Sequence, residues 1–339
     1  MTTNQAAWID GPGKEFRVGE SKIPTPGADD VVVKNHAVAV NPVDWKIQDH
    51  GLFIKEWPTV LGCDIAGEVH EVGSNVKQFK KGDRVFSHAI SLATGDPADG
   101  AFQLYTKTQA VLAAKIPDSI SYNHASVLPL AVDTAGHGLY DSREKGFMGL
   151  PHPSLEPKPS GKTILIWGAS GSVGALATQL ATASGAKVIA VASARNHNFV
   201  KQLGAAEAFD YNTSSVVDDV VKAIKAAGGD FAGIYDTIST PDANKYVFEI
   251  AEKIGGTNVC ITLPPPEKVP SSVKLGQVFA INNAINGPLW EKYLTPALEQ
   301  GKLKAVPEPL VVGKGLESVQ KGLAKNKEGV SAKKVVIEL

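Results

Sequence analysis

The chain has 339 residues, with 34 Lys plus Arg set against 35 Asp plus Glu and a formal net charge of −1. A length of this order makes about two domains with a sizeable core, and 43% hydrophobic with 20% charged residues is the balance of a folded protein rather than a disordered one. Near-neutral charge with no basic run excludes an electrostatic nucleic-acid footprint, and two cysteines, Cys63 and Cys260, are too few for a disulfide framework or a four-thiolate zinc site.

The opening residues, MTTNQAAWID, are polar and read as neither leader nor anchor. The most apolar stretch, Ile164 to Ala181, is interrupted by Gly168, Ser170, Gly171 and Gln179, so it does not read as a membrane span. The expectation is a reduced, cytoplasmic enzyme with no nucleic-acid or membrane partner.

Up to about residue 120 the chain offers short strand-like runs: Val31 to Val33, Ala37 to Val40, Gly67 to Val72, Arg84 to Ser87 and Ala101 to Tyr105. Turn residues separate them, as in Pro24-Thr-Pro26-Gly27, Gly73-Ser74-Asn75 and Lys81-Gly82-Asp83, and the spacing predicts a β-barrel-like domain. Asn123 to Tyr140 reads as one helix, followed by a proline-punctuated surface segment ending at Gly161. From Thr163 the texture alternates. Strands are predicted at Thr163 to Trp167, Lys187 to Ala192, around Ala208, Phe231 to Thr237 and Thr257 to Leu263, with helices between them. Such alternation argues for a doubly wound parallel sheet. A helix over Leu316 to Ala324 precedes a final strand, Lys333 to Leu339.

The loop GASGSVG, Gly168 to Gly174, lies between a hydrophobic strand and a helix. In that setting Gly168, Ser170, Gly171, Ser172, Val173 and Gly174 read as a dinucleotide cradle. Gly171 lets the backbone approach a pyrophosphate, Gly174 lets helix and strand pack closely, and the free N–H groups of the helix start meet the anion. A tight turn with no ligand is the alternative for the glycines taken alone. The end of the second strand then selects the cofactor. An NAD site places Asp or Glu there; this chain has Ala192-Ser193-Ala194-Arg195-Asn196, with Ser193 22 residues past Gly171. A hydroxyl and a guanidinium suit a 2′-phosphate, so NADPH is expected, unless Arg195 is only a solvated loop charge.

At NPVDWK (Asn41 to Lys46), PTVLGCDIAGEVHEVG (Pro58 to Gly73), FKKGDRVF (Phe79 to Phe86), the glycine loop and KQLGAAEAFDY (Lys201 to Tyr211), the chain resembles the medium-chain dehydrogenase/reductase superfamily, in its zinc-independent quinone reductase and enoyl reductase branch. The stretch ASVLPLAVDTAGHGLY and the NPVDWK form look most like fungal trans-acting enoyl reductases. The resemblance implies an α/β protein: a GroES-like β-barrel catalytic domain over residues 1–125, completed by 290–339, and a Rossmann doubly wound parallel sheet domain over 126–289. It also implies that the last strand returns to the first domain.

Zinc-using members of that superfamily carry Cys where this chain has Pro42 or Val43, and Gly-His-Glu where it has Gly62-Cys63-Asp64. No metal is therefore expected. Without a Lewis acid, reduction of a conjugated C=C is favoured over that of a plain carbonyl, because charge spreads to an enolate oxygen that ordinary donors can hold.

The resemblance also assigns site residues. Lys46 lies by the nicotinamide and substrate, stabilising the enolate or orienting the ribose, its alternative being a surface lysine. Thr134 offers a hydroxyl to nicotinamide or substrate, unless it bonds its own helix backbone. On the cofactor side, Asn41 and Asp44 fix the Lys46 loop, and Asp44 either braces backbone or touches ligand. Tyr211 lines the 2′-phosphate pocket or is a core aromatic. Thr237 and Ile238 wall the adenine, and Leu263, Phe279, Ala280 and Ile281 meet the nicotinamide amide. Lys334 reaches the cofactor or is solvated. No general acid stands out; water is one candidate for the proton, and the donor stays unassigned. The expected substrate is a small-molecule or carrier-tethered acyl compound, the expected assembly a monomer or homodimer. Quinone reduction and a non-catalytic NADPH-binding role are the competing functions.

Overall fold

The computed structural model describes residues 3–339. In chain order it contains β1 (Asn4–Ile9), β2 (Arg17–Ser21), β3 (Asp30–Ala39), α1 (Pro42–His50), β4 (Thr59–Val60), β5 (Asp64–Val72), β6 (Arg84–His88), α2 (Ser91–Thr94), β7 (Tyr105–Gln109), β8 (Ala113–Lys115), α3 (Tyr122–Ala125) and α4 (Pro129–Tyr140). Then come β9 (Lys162–Trp167), α5 (Ser172–Ala183), β10 (Lys187–Val191), α6 (His197–Gln202), β11 (Ala205–Phe209), α7 (Val216–Ala227), β12 (Asp230–Asp236), α8 (Pro241–Lys253), β13 (Thr257–Ile261), β14 (Val273–Gln277), α9 (Asn283–Pro288) and α10 (Leu294–Glu299). The chain ends with β15 (Glu308–Lys314), α11 (Val319–Glu328) and β16 (Lys333–Glu338).

Two compact units result. The first comprises Met1–Leu130, Leu298–Gly301 and Ala305–Leu339; the second comprises Ala131–Ala297 and Lys302–Lys304. The first unit is β-rich, with strand order β15-β16-β3-β5-β6-β8 in the larger sheet, β7 also on β3, and a small sheet β2-β1-β4. The final strand does return here: β16 runs antiparallel to β3, pairing Val336 with Ala39. Its core gathers Ile9, Val33, Val38, Ile65, Val85, Phe102 and Ile337, all without solvent exposure.

The run Ala101 to Tyr105, expected as a strand, is a bent connection, and the strand begins at Tyr105. Its backbone bonds are divided among separate partners: Ala101 donates to Gly62, Phe102 to Leu61 and Leu104 to Gln5. The helix expected over Asn123 to Tyr140 is two helices. Pro129 has no N–H to extend a preceding helix, so it opens α4 as its first residue. The helix expected from Leu316 likewise starts as a 3-10 turn over Leu316–Ser318.

The second unit holds a parallel sheet in the order β11-β10-β9-β12-β13-β14. β9 is central, and five of its six residues are buried, as a strand covered on both faces demands. α7 shows the companion pattern: Val216, Val217, Val220, Val221, Ala223 and Ile224 are buried while Asp218, Asp219 and Lys225 face water. β14 was not foreseen. It is an edge strand with only Gly276 buried, so it lacks the apolar run that announces a strand.

α4 seats against this sheet through Gly138, which faces Tyr235 of β12. The Tyr235 hydroxyl, fully buried, donates to the Thr134 carbonyl at 2.6 Å. A methyl at 138 would stand 2.6 Å from Tyr235 Cε1 and 2.7 Å from its hydroxyl oxygen. Overpacking of this kind costs about 1–3 kcal/mol, offset by the ~1 kcal/mol that alanine gains over glycine in a helix. Gly138→Ala is expected to lose up to about 2 kcal/mol in urea unfolding; a gain in stability would mean that the ring moves aside without cost.

Candidate functional site

In the first unit the sequence NPVDWK is a helix start. Pro42 supplies the first residue of α1, and Asp44, three residues after Asn41, turns back to accept the Asn41 N–H at 2.8 Å. Asp44 thus braces backbone, and it has no solvent exposure. One turn of helix presents Lys46 at an intermediate, half-covered position. Its ammonium lies 5.6 Å from the Trp45 ring centre and has no hydrogen-bond or ion-pair partner among the described residues. Burial lowers its pKa.

Behind that helix is a buried charged cluster. Asp64, at the start of β5, has no exposure; its Oδ1 accepts the Leu130 N–H at 2.7 Å and its Oδ2 accepts the Asn41 amide at 2.7 Å. The ammonium of Lys334, from β16, lies 3.0 Å from the same Asp64 Oδ2 and donates to Asn41 Oδ1. Lys334 is only 3% exposed, so the solvated alternative is excluded. What brings it inward is a carboxylate that the linear sequence places 270 residues away. Cys63 adjoins the cluster, 2% exposed; burial, reinforced by the carboxylates of Asp44 and Asp64, pushes its thiol well above the usual range.

In the second unit the glycine loop stands between β9 and α5, and its local geometry suits close approach. Gly168 has φ +81°, and a Cβ there would meet Ile238 Cδ1 at 2.7 Å and Thr237 Oγ1 at 2.8 Å. A Cβ on Gly174 would meet Ala169 Cα at 2.7 Å, so the close strand–helix approach there needs glycine. Beside Gly171 the space is open: a Cβ would meet only Gly168 O, at 3.5 Å. Gly171 is the N-cap of α5 and supplies no side chain to the first turn, where Ser172 and Val173 are partly exposed. A loop whose backbone is approachable and whose helix start lacks a side-chain cap fits a pyrophosphate.

Ser193 follows β10, half-buried, and Arg195 is exposed in the next 3-10 turn with no partner among the described residues. Asn196, which sequence reasoning missed, ties the two loops together. Buried itself, it donates through Nδ2 to Ser170 Oγ at 3.1 Å and to Ser193 Oγ at 3.2 Å. Each hydroxyl therefore accepts from Asn196 and keeps its own proton to donate. Also missed was Asp210 at the end of β11, whose carboxylate accepts from Asn212 and from the Ala194 backbone. Tyr211 is 43% exposed, which excludes the core-aromatic alternative.

Thr237 turns its hydroxyl to the Trp167 carbonyl at 2.8 Å, bracing β12 against β9, while Ile238 is 41% exposed. Their turn is built on Asp236, whose Oδ1 accepts the N–H groups of Ile238 and Ser239, both at 2.9 Å. Leu263 is half-covered beyond β13; Phe279 is 63% exposed, and Ala280 and Ile281 are partly so. Thr134 is 9% exposed in α4. The structure thus groups Asn41, Asp44, Lys46 and Lys334 in the first unit, and the glycine loop, Thr134, Ser193, Arg195, Tyr211, Thr237, Ile238, Leu263 and Phe279 to Ile281 in the second.

The Asp44 carboxyl is pushed up to about 7 by burial, with Asp64 adding to the effect; the Asn41 and Gly62 N–H groups and the Lys334 ammonium pull the other way. An unfolded Asp titrates near 3.9, so the folded chain holds this proton more tightly than the unfolded one. Stability from this group is therefore fully present below about pH 4 and is lost as pH rises through about 7, with up to ~4 kcal/mol involved. Asp44→Asn keeps an oxygen for the Asn41 N–H and removes the titration. Between about pH 5 and pH 8, unfolding free energies are expected to shift progressively in favour of the variant relative to the natural chain; a pH-independent difference would be the opposing result.

The chain matches the family model for an alcohol dehydrogenase GroES-like domain over residues 27–118 and that for a zinc-binding dehydrogenase over residues 172–300. It is 48% identical to Dehydrogenase orsE of Emericella nidulans, over 100% of both chains. It is 41% identical to Trans-enoyl reductase himH of Aspergillus japonicus, over 99% of this chain and 97% of that one. Among solved structures it resembles an alcohol dehydrogenase superfamily protein from Novosphingobium aromaticivorans, with a TM-score of 0.78 and 25% identity over 100% of both chains.

Proposed function

The chain belongs to the medium-chain dehydrogenase/reductase family, in its enoyl reductase branch, and on that footing we propose that it uses NADPH to reduce the activated C=C bond of an α,β-unsaturated acyl or carbonyl substrate, without a metal ion. Membership makes it an oxidoreductase with a nicotinamide dinucleotide cofactor. The observation that carries the finer reading is the loop after β10. Ser193 offers a hydroxyl poised by Asn196, Arg195 an unpaired guanidinium, and residues 192–196 contain no carboxylate. A 2′-phosphate suits that set.

The side chains at 63 and 64 do not fit a zinc ion. Both oxygens of Asp64 are engaged, one of them by an ammonium, and no three His, Cys, Asp or Glu among the described residues group to hold a metal. No step of the proposed reaction runs through a metal.

Bound NADPH would supply a hydride to the substrate's β-carbon, and the negative charge left on the carbonyl oxygen is what the protein has to meet. Lys46 is the donor for that charge: its half-covered ammonium lacks a carboxylate partner, so its N–H groups are uncommitted. Thr134 supplies a hydroxyl from α4, and water delivers the proton to the α-carbon. Gly168, Gly171 and Gly174 with the first turn of α5, including Ser170, Ser172 and Val173, hold the pyrophosphate; Thr237, Ile238 and Tyr211 line the adenosine half. Asn41, Asp44 and Lys334 act behind Lys46, fixing the helix that carries it. The substrate is taken either free or tethered to a carrier. No helix among the described residues is long and apolar enough to cross a membrane.

Oxidation of NADPH is expected with enals, enones or enoyl thioesters. Lys46→Met is expected to lower kcat/KM by about a hundredfold while leaving the NADPH Kd within about threefold. Turnover confined to quinones would replace the enoyl reading with quinone reduction, and tight NADPH binding without turnover would replace both with a non-catalytic role.

Cofactor choice is tested separately. Arg195→Ala is expected to raise the NADPH Kd about tenfold or more and leave the NADH Kd nearly unchanged, whereas Asp210→Asn, by removing a carboxylate that bonds the Ala194 backbone next to Arg195, is expected to tighten NADPH. Equal weakening of both cofactors by Arg195→Ala removes the 2′-phosphate assignment.

A further inference from the structure

α4 carries, one turn beyond Thr134, a histidine that the mechanism above does not use. His137 is 6% exposed, and both nitrogens of its ring are committed. Nε2 lies 3.2 Å from Asp141 Oδ2, one helical turn further on. Burial pushes the Asp141 carboxyl up, but the Ser142 N–H, the Lys145 ammonium and His137 outweigh it and hold the group below its usual range. Asp141 is therefore an ionised, acceptor-only partner at neutral pH, which places a proton on Nε2.

The other nitrogen faces the backbone of Phe279. The Phe279 N–H points at Nδ1, 3.2 Å away, and the Phe279 carbonyl oxygen also lies against Nδ1. A neutral ring with its proton on Nε2 accepts the N–H; a doubly protonated ring donates to the carbonyl. In either state the imidazole holds this one peptide. The Phe147 ring stacks on the imidazole at 4.8 Å between centres and fixes its plane. Among the described residues, the charged groups acting here are Asp141 on the same helix and Lys145, which faces Asp141 from the 3-10 turn Arg143–Lys145. Phe147 and the 279 backbone add none.

The same helix holds the next residue as well. Asn286 of α9 donates through Nδ2 to the Ala280 carbonyl at 2.9 Å and to the Asp133 carbonyl at 3.0 Å. Phe279 itself is 63% exposed, so its side chain contributes little to keeping the segment in place. Residues 279 and 280 are held by these two polar side chains, by the Val278 N–H, which donates to Ile261 at 2.9 Å, and by the Asn282 N–H, which donates to the Ala280 carbonyl at 3.1 Å.

We propose that His137, oriented by Asp141, is a positioning residue that sets the Phe279–Ile281 backbone for the nicotinamide end of the cofactor. This rests on the reading of that segment as the nicotinamide contact. Because the same helix carries Thr134, one rigid element sets both the catalytic hydroxyl and the nicotinamide seat. The segment then binds without having to order itself first, which is where preorganisation gains affinity.

The test separates the two ends of the cofactor. His137→Gln keeps an amide near Asp141 and loses reach to Phe279; His137→Asn keeps an amide at the Nδ1 position. Calorimetry with NADPH and with adenosine 2′,5′-bisphosphate, which lacks the nicotinamide, is expected to show NADPH weakened about tenfold in the Gln variant, the bisphosphate unchanged within about twofold, and most of the loss recovered in the Asn variant. Equal weakening of both ligands, or of neither, overturns the positioning role while leaving the NADPH reading intact. If the natural chain binds neither ligand, both readings fall. Should the Gln variant fail to fold, hydrogen–deuterium exchange on the natural chain decides. Amides of 278–281 and of the α4 stretch around His137 are expected to gain protection together with NADPH and not with the bisphosphate; protection by the bisphosphate, or none with NADPH, overturns the proposal.

Discussion

A buried ammonium on the last strand holds the first unit together in the place where chemistry is expected. Lys334 and Asp64 are both almost wholly removed from water, and such a pair is stable only if its remaining donors and acceptors are satisfied. Asn41 meets that condition: its amide donates to Asp64 and its oxygen accepts from Lys334, a contact spanning 293 positions in the chain. The Leu130 N–H completes Asp64. β16, β5, α1 and the start of α4 are thereby locked to one small set of atoms. Removing any one partner would strand a charge in the interior, so the cluster specifies arrangement more than it adds stability.

Charge balance follows from the same atoms. Two carboxyls and one ammonium share the site; burial first, and the Asp64 charge after it, raise the pKa of Asp44, which keeps a proton close to neutrality. Lys46, at the edge of this region, lacks an anion of its own. Lys46 is thus an uncommitted cation on the same helix as the neutralised cluster, an arrangement suited to meeting negative charge that develops only during a reaction. The second unit works by other means. Its glycine loop offers backbone and a helix start, with Asn196 tying Ser170 to Ser193, and several of its polar side chains brace backbone: Thr237 on Trp167, Asp236 on the 238–239 turn, His137 on Phe279.

The glycine-bearing turn between β9 and α5 and the alternating strands and helices were legible because each is local. A buried parallel strand needs a continuous apolar run, and a phosphate-facing helix start needs glycines at fixed offsets. The misreadings occur where neighbours in space replace neighbours in sequence. β14 has no apolar run because only the strand beside it gives it a place. Ala101 to Tyr105 has strand-like composition, yet its N–H groups are divided between the Leu61–Gly62 segment and the Asn4–Gln5 segment. The break before α4 was readable from Pro129 and passed over in favour of the Ala- and Leu-rich composition around it.

By itself the sequence determined the family, the two-part α/β plan, the glycine turn between β9 and α5 and the residue types at the end of β10, since all of these depend on spacing within about thirty residues. Only the tertiary structure decided that Lys334 is buried on Asp64, that Asp44 braces backbone and holds a proton, that Asn196 joins the loops of Ser170 and Ser193, and that His137 faces the Phe279 peptide. The reason is the same in each case: a side chain's protonation state and bonding are set by the dielectric and the partners around it, and those partners come from distant stretches of the chain that folding alone brings together.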